Sequence, residues 1–119
     1  MGFEYNTLVA VKINIQSSNL DLTPALAEYI EKKIGGLEKF LKRFEADSVL
    51  VEVDVGRSTR HHRHGRVYYV DVNLLIPGGT IRAAHDDEDI RKAINAVREK
   101  LQREIEKFKE KNPRKSGET

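Results

Sequence analysis

Two parts of this 119-residue chain concentrate side chains able to hold a charged partner. Between Arg57 and Arg66 stand Arg57, Arg60, Arg63 and Arg66, interleaved with His61, His62 and His64 and with no acid. Guanidinium groups grip phosphates through paired N–H donors, so a nucleic-acid backbone suits this stretch. The plain alternative is a solvated hairpin tip. Three imidazoles also raise a metal site, but structural zinc takes four ligands in fixed geometry and the neighbouring arginines repel a dication; no metal is expected. Protonation of these histidines below about pH 6.5 would add positive charge to the same stretch. The second concentration lies in the last third. Lys92, Lys100, Arg103, Lys107 and Lys111 recur on one side of a helical projection, while Arg91 and Arg98 fall on another. Earlier in the chain, Lys32, Lys39 and Arg43 share a flank. Two helices packed side by side on a sheet would set such flanks next to one another, with the groove between them facing phosphates; the alternative is solvated faces in which Glu99, Glu104 and Glu106 act as intrahelical partners.

Catalytic readings are weaker. Asp86-Asp87-Glu88-Asp89 resembles a metal-binding acid cluster, but just before a helix it is better explained as capping of free N–H groups at the positive end of the dipole. His85 has no Ser or Cys nucleophile in its sequence context. Pro77-Gly78-Gly79 lies between two strand patterns, not between a strand and a helix as a phosphate loop would. Tyr68 and Tyr69 point to opposite faces of a strand. One could stack on a base, though packing explains either. No enzyme activity and no cofactor are expected.

Composition narrows the classes further. The length suits one domain. Hydrophobic residues make up 39% and charged residues 34%, enough for one core under a highly charged surface. The net charge of +2 conceals segregated blocks of opposite sign. Cys is absent, which excludes disulfides and thiolate chemistry and fits a reducing, cytoplasmic setting. No apolar run approaches the length of a membrane span, and MGFEYNTLVA lacks the pattern of a secretory signal.

Hydropathy patterning supplies the elements. Val9 to Gln16 alternates as a half-buried strand after a lead-in over residues 1–8. Thr23-Pro24 opens a helix whose stripe, Leu26, Ile30, Ile34, Leu37, Leu41 and Phe44, predicts one helix to about Arg43 despite Gly35-Gly36. Ser48–Val55 and Arg66–Ile76 alternate as strands, and Thr80–Ala84 forms a short fourth. A last helix, opened by the acids at 86–89, carries Ile90, Ile94, Val97, Leu101, Ile105 and Phe108 to about Lys111, where Pro113 stops it. Residues 112–119 form a polar tail, leaving 9–111 as a single domain. The order β-α-β-β-β-α predicts an α+β, two-layer fold: a four-stranded mixed sheet with both helices on one face. The first β-α-β passage should be a right-handed crossover with its strands parallel, and the rest an antiparallel meander. Lys12, Asn14, Gln16, Glu52, Asp54, Asp71, Asn73 and Arg82 then share the other, wet face.

Several segments taken in order resemble a known family. They are Ile13-Asn-Ile-Gln-Ser, Leu22-Thr-Pro-Ala-Leu26 with Tyr29 and Lys33, Leu37-Glu-Lys-Phe40, Ile76-Pro-Gly-Gly79, Ile81-Arg-Ala83, Asp89, Ala93-Ile-Asn95, Lys100-Leu101 and Phe108-Lys109. Over about residues 11–111 the chain is similar to the hibernation-promoting factors, also called ribosome-associated inhibitor A or sigma-54 modulation/ribosomal subunit interface proteins. The resemblance implies a fold akin to double-stranded-RNA-binding domains. It also implies binding to the small ribosomal subunit and its 16S rRNA near the decoding centre, which shuts mRNA and tRNA out of idle, stressed or stationary-phase ribosomes. Residues expected to meet rRNA are Lys32, Lys39, Arg43, Arg60, Arg63, Arg66, Arg82, Arg91, Lys92, Arg98, Lys100, Arg103 and Lys107. The chain looks like a short form, without the C-terminal dimerisation domain of long members, and a monomer off the ribosome is expected. Arg91 and Glu104 depart from the family's usual Tyr and Gln, and the Arg/His stretch is longer than in the shortest members. A generic duplex-RNA module is the alternative, although acids at the start of the second helix would repel a duplex there. An α/β adaptor using the sheet edge without RNA is another.

Overall fold

The computed structural model describes residues 11–58 and 67–113. Strand β1 (Lys12–Gln16) is followed by helix α1 (Pro24–Gly35), strands β2 (Leu50–Arg57), β3 (Tyr68–Ile76) and β4 (Gly79–Asp87), and helix α2 (Ile90–Lys111). Short 3-10 turns occupy Gly36–Phe40 and Ala46–Ser48. The sheet order is β1-β2-β3-β4. Strands β1 and β2 pair in parallel, Ile13 opposite Val51, and the two later pairings are antiparallel. This is the expected α+β architecture of two helices and a four-stranded mixed sheet.

Alternation decides which face is covered. Val51, Val53 and Val55 of β2 and Val70, Val72, Leu74 and Ile76 of β3 are buried, together with Ile13, Ile15, Ile81 and Ala83 from the edge strands. Ala27, Ile30 and Ile34 of α1 and Ala93, Ile94, Val97, Leu101 and Ile105 of α2 are buried in the same cluster. Each Val, Leu or Ile fully removed from water contributes about 1.5–3 kcal/mol. The opposite sheet face carries exposed Lys12, Asn14, Gln16, Glu52 and Arg82, with Asp54, Asp71 and Asn73 half-buried.

Local chemistry fixes the ends. The Thr23 hydroxyl accepts the Leu26 N–H at 3.2 Å, and Pro24 occupies the first turn, where its missing N–H has no partner to lose. Asp89 caps α2 by accepting from the Arg91 N–H at 2.9 Å. Pro77-Gly78 turns β3 into β4 with Ile76 opposite Gly79, and Gly78 supplies the required positive φ of 96°.

Several element boundaries differ from expectation. The first helix ends at Gly35, and residues 36–40 tighten into a 3-10 turn. Two successive glycines weaken the helix, while the tighter turn still buries Leu37 and Leu41. An apolar stripe alone does not separate these conformations. Strand β4 continues through Asp86 and Asp87, which pair with Tyr69 and Tyr68; of the four acids, Asp89 is the N-cap and the first two belong to the sheet. Cross-strand pairing with a nine-residue β3 overrides the low strand propensity of Asp. Strand β2 likewise begins at Leu50 and runs on to Arg57, opposite Tyr68. Val9, Ala10 and Arg66 lie outside the described residues.

At the end of β2, Asn19 mimics a strand neighbour. Its Oδ1 accepts the Arg57 N–H at 2.8 Å and its Nδ2 donates to the Arg57 carbonyl at 2.9 Å. Gly56 lies beneath this clamp: a Cβ there would stand 2.5 Å from Asn19 Oδ1 and 2.6 Å from Tyr69 Cε2. Gly56→Ala should therefore lower unfolding stability by about 1–3 kcal/mol, the usual cost of overpacking, as read from chemical denaturation. Among the described residues one charged side chain is buried: Glu31 is 9% exposed, and its Oε2 has no hydrogen-bond partner. Desolvation raises its pKa above the ordinary carboxylate value. Above that ordinary value the native chain binds more protons than the unfolded one, so this carboxyl's contribution to stability declines as pH rises through its native pKa. Glu31→Gln should stabilise the protein at pH 7 by about 1 kcal/mol, or a few degrees in Tm, and the gain should shrink as pH falls toward about 4.

Candidate nucleic-acid interface

The helices lie side by side over the sheet and run in the same direction. Tyr29 meets Arg91 and Asn95, the backbone at Gly36 lies near the Arg98 guanidinium, and Phe44 packs on Phe108 with ring centroids 6.3 Å apart. Along α2, residues 91, 95 and 98 therefore turn toward α1. Lys100 turns the other way: its Nζ donates to the Ala84 carbonyl of β4 at 2.9 Å and sits 3.1 Å from His85 Nδ1. The main cationic row of α2, with Lys92, Arg103 and Lys107 on Lys100's flank by helical spacing, is thus on the β4 side. This corrects the expectation that it would line the seam with α1; the seam takes the smaller pair, Arg91 and Arg98.

The seam is built from both helices. Tyr29 Oη donates to Asn95 Oδ1 at 3.0 Å, which fixes the ring between them. Arg91 Cζ lies 4.7 Å and Lys33 Nζ 5.6 Å from that ring's centroid. Cations attracted to an aromatic face retain their charge while losing conformational freedom. Arg98 Nη1 reaches Gln102 Oε1 at 3.4 Å, one turn along α2. Tyr29 and Lys33 are functional candidates that the charge pattern of the sequence did not select. Their signal is an i, i+4 pair on α1 matched by Arg91 and Asn95 at i, i+4 on α2.

The other expected contacts divide by place. Lys32, Lys92 and Arg103 are exposed and have no acid within ion-pair distance among the described residues. Lys39 lies in the 3-10 turn, with Nζ 5.2 Å from the Phe40 ring centroid. Arg43 donates to the Asn112 carbonyl at 2.6 Å and ties the end of α2 to the segment after α1. Lys107 approaches Glu104 at 3.4 Å, a surface pair of small energetic weight. Arg82 stands apart on the open sheet face. It forms a two-pronged pair with Asp71, with Nε to Oδ1 at 3.0 Å and Nη2 to Oδ2 at 2.6 Å. That pairing raises the Arg82 pKa further and leaves the group opposite the helices rather than beside the other cations. Arg60, Arg63, Arg66 and the three loop histidines lie outside the described residues. Tyr69 turns its hydroxyl to Asp54 Oδ1 at 3.2 Å on the open face, and burial, followed by the nearby carboxylate, raises its pKa.

Chemically, the helix side offers cations of two kinds. Long exposed side chains can follow a phosphate backbone, and seam cations are held in position by an aromatic ring or an amide. Among the described residues, no three His, Asp or Glu side chains come together as a metal site, and no helix is long and apolar enough to cross a membrane.

Known proteins resemble this chain in both sequence and fold. The chain is 32% identical over 105 residues to the ribosome hibernation promotion factor of Lactococcus lactis, covering 88% of this chain and 53% of that protein. It is 30% identical over 101 residues to the ribosome hibernation promoting factor of Klebsiella oxytoca, covering 85% and 96%. It therefore spans about half the length of the first relative and nearly all of the second. The Protein Y N-terminal domain of Thermus thermophilus has the same fold, with a TM-score of 0.66 at 21% identity over 82% of this chain and 97% of that one. A ribosomal subunit interface protein from Coxiella burnetii superposes with a TM-score of 0.64 at 25% identity, covering 84% and 99%. With residues 13–112 matching its family profile, the chain belongs to the sigma 54 modulation protein / S30EA ribosomal protein family.

Proposed function

We propose that this protein is a ribosome hibernation factor. It binds the small subunit through its helix side, against 16S rRNA near the decoding centre, and excludes mRNA and tRNA by occupying their path. The reading rests on family membership together with one structural observation. Among the described residues, exposed Lys32, Lys92 and Arg103 are without acidic partners on the helix side, where the seam adds Lys33, Arg91 and Arg98. Steric exclusion needs no reacting group, so the protein acts as a plug, not as an enzyme. Attraction to phosphate comes from counterion release, which makes binding steeply salt-dependent. The setting this implies is the cytoplasm of idle or stressed cells, with the ribosome as partner.

The open sheet face has a different character. Its arginine is already paired with Asp71, and the negative Glu52 and Asp54 outnumber Lys12. An rRNA backbone is attracted to the helices and repelled from much of this face, which orients the protein on its target.

The protein should co-sediment with purified 30S subunits in preference to free duplex RNA and should inhibit translation in a reconstituted system. A protein that does neither is not a hibernation factor of this kind. Lys92→Glu combined with Arg103→Glu should weaken 30S binding roughly tenfold or more at low salt. The log–log salt slope should become shallower by about 0.7–0.9 for each phosphate no longer neutralised. Thermal unfolding should change little, because both side chains are exposed and off the apolar stripe.

A further inference from the structure

The cations of the helix side are not equivalent, and the difference identifies a second mode of contact. Arg91 is exposed, yet its guanidinium carbon lies 4.7 Å from the Tyr29 ring centroid. Tyr29 is itself held by the 3.0 Å hydrogen bond to Asn95, one turn along the helix that carries Arg91. This cation–π contact joins α1 to α2 and positions the Arg91 guanidinium at the seam. Neither Arg91 nor Lys33 meets an acid within ion-pair distance among the described residues. Exposed Lys92 and Arg103 have no aromatic ring against them among the described residues. A guanidinium held over a ring gives up conformational freedom and keeps a flat π surface, with its donors in the plane.

We infer that Arg91, positioned by Tyr29 and Asn95, is a stacking platform for an unpaired base of single-stranded RNA. Lys33 and Arg98 on the same seam attract the flanking phosphates. Unstacked RNA bases are held on aromatic rings and on arginine planes, and every base has a π face, so such a platform prefers single-stranded to paired RNA without demanding one sequence. The inference deepens the RNA-binding reading of the helix side but does not depend on the ribosome as the source of the RNA.

The test is NMR titration of the full chain with a mixed-sequence RNA hexamer and with an abasic hexamer carrying the same phosphates. The RNA hexamer should move the Arg91 side-chain proton resonances upfield through ring current, and the abasic hexamer should not. Arg91→Lys keeps the charge and removes the plane. It should cost about tenfold in affinity for the RNA hexamer, within the range for loss of one stacked base, and leave the abasic hexamer unaffected. Tyr29→Phe keeps the ring beneath Arg91 but frees it from Asn95, so its affinity for the RNA hexamer should fall between those of wild type and Arg91→Lys while its affinity for the abasic hexamer is unchanged. Equal shifts from both hexamers, failure of the RNA hexamer to bind, or undiminished binding by Arg91→Lys would each overturn the platform. If the platform binds the RNA hexamer while 30S subunits fail to co-sediment, the ribosomal reading falls and this one stands. If 30S subunits bind but the two hexamers behave alike, the reverse holds.

Discussion

The covering of a single sheet face by two helices is the constraint on which the rest of the molecule depends. Valines and isoleucines alternate along β1, β2 and β3, so one face must be removed from water, and two amphipathic helices are available to cover it. Both must lie on the same side. Set next to one another, they create a seam whose floor is apolar and whose upper margin is polar. Everything useful at that seam follows from the helices' relative position: Tyr29 of α1 meets Arg91 and Asn95 of α2, and Arg98 lies near the backbone at Gly36. Phe44 and Phe108 close the far end, where Phe108 also packs against the Gly78-Gly79 turn.

The same geometry sorts the charges. Lys107 approaches Glu104, but several other positive groups on the helix side are held by neutral partners: a tyrosine ring for Arg91, an amide oxygen for Arg98, and backbone carbonyls for Lys100 and Arg43. Neutral partners orient a cation without cancelling its charge, which suits a surface that must attract an anion. On the open sheet face the arrangement is reversed. Arg82 is neutralised by Asp71, and Glu52 and Asp54 outnumber Lys12, which leaves that face unattractive to phosphate. A protein of net charge +2 thereby acquires two faces of different electrostatic character, which a whole-chain total conceals. Lys100 adds a structural role, because its ammonium group satisfies the Ala84 carbonyl on an edge strand.

Much was legible in the sequence because much is local. Alternation with period two identified the strands and their buried faces, Thr23-Pro24 marked a helix start, and Pro77-Gly78 marked a turn. Parallel pairing of β1 with β2 followed from an intervening helix. The ordered motifs from Ile13 to Lys109 carried the family resemblance. Boundaries set by a partner were less legible. The reach of β4 through Asp86 and Asp87 comes from pairing with β3, and the change from α-helix to 3-10 turn at Gly36 leaves the apolar stripe almost unaltered.

Periodicity and short motifs within single segments were enough for the class of fold, most of the buried positions and the family resemblance, though Phe44, Ile90 and Phe108 are only half-buried and buried Glu31 gave no signal. Tertiary structure decided which flank of α2 meets α1, and so which cations act together. A helical projection places Lys100 and Arg91 on different sides but does not say which side adjoins the neighbour. That depends on how α2 sits across β3 and β4 and on the contacts of Tyr29, Asn95 and Ala84, residues far apart in the chain. The partners of Arg91 and Arg82 are set in the same way, because a cation–π contact between two helices and an ion pair between two strands exist only once the elements are assembled.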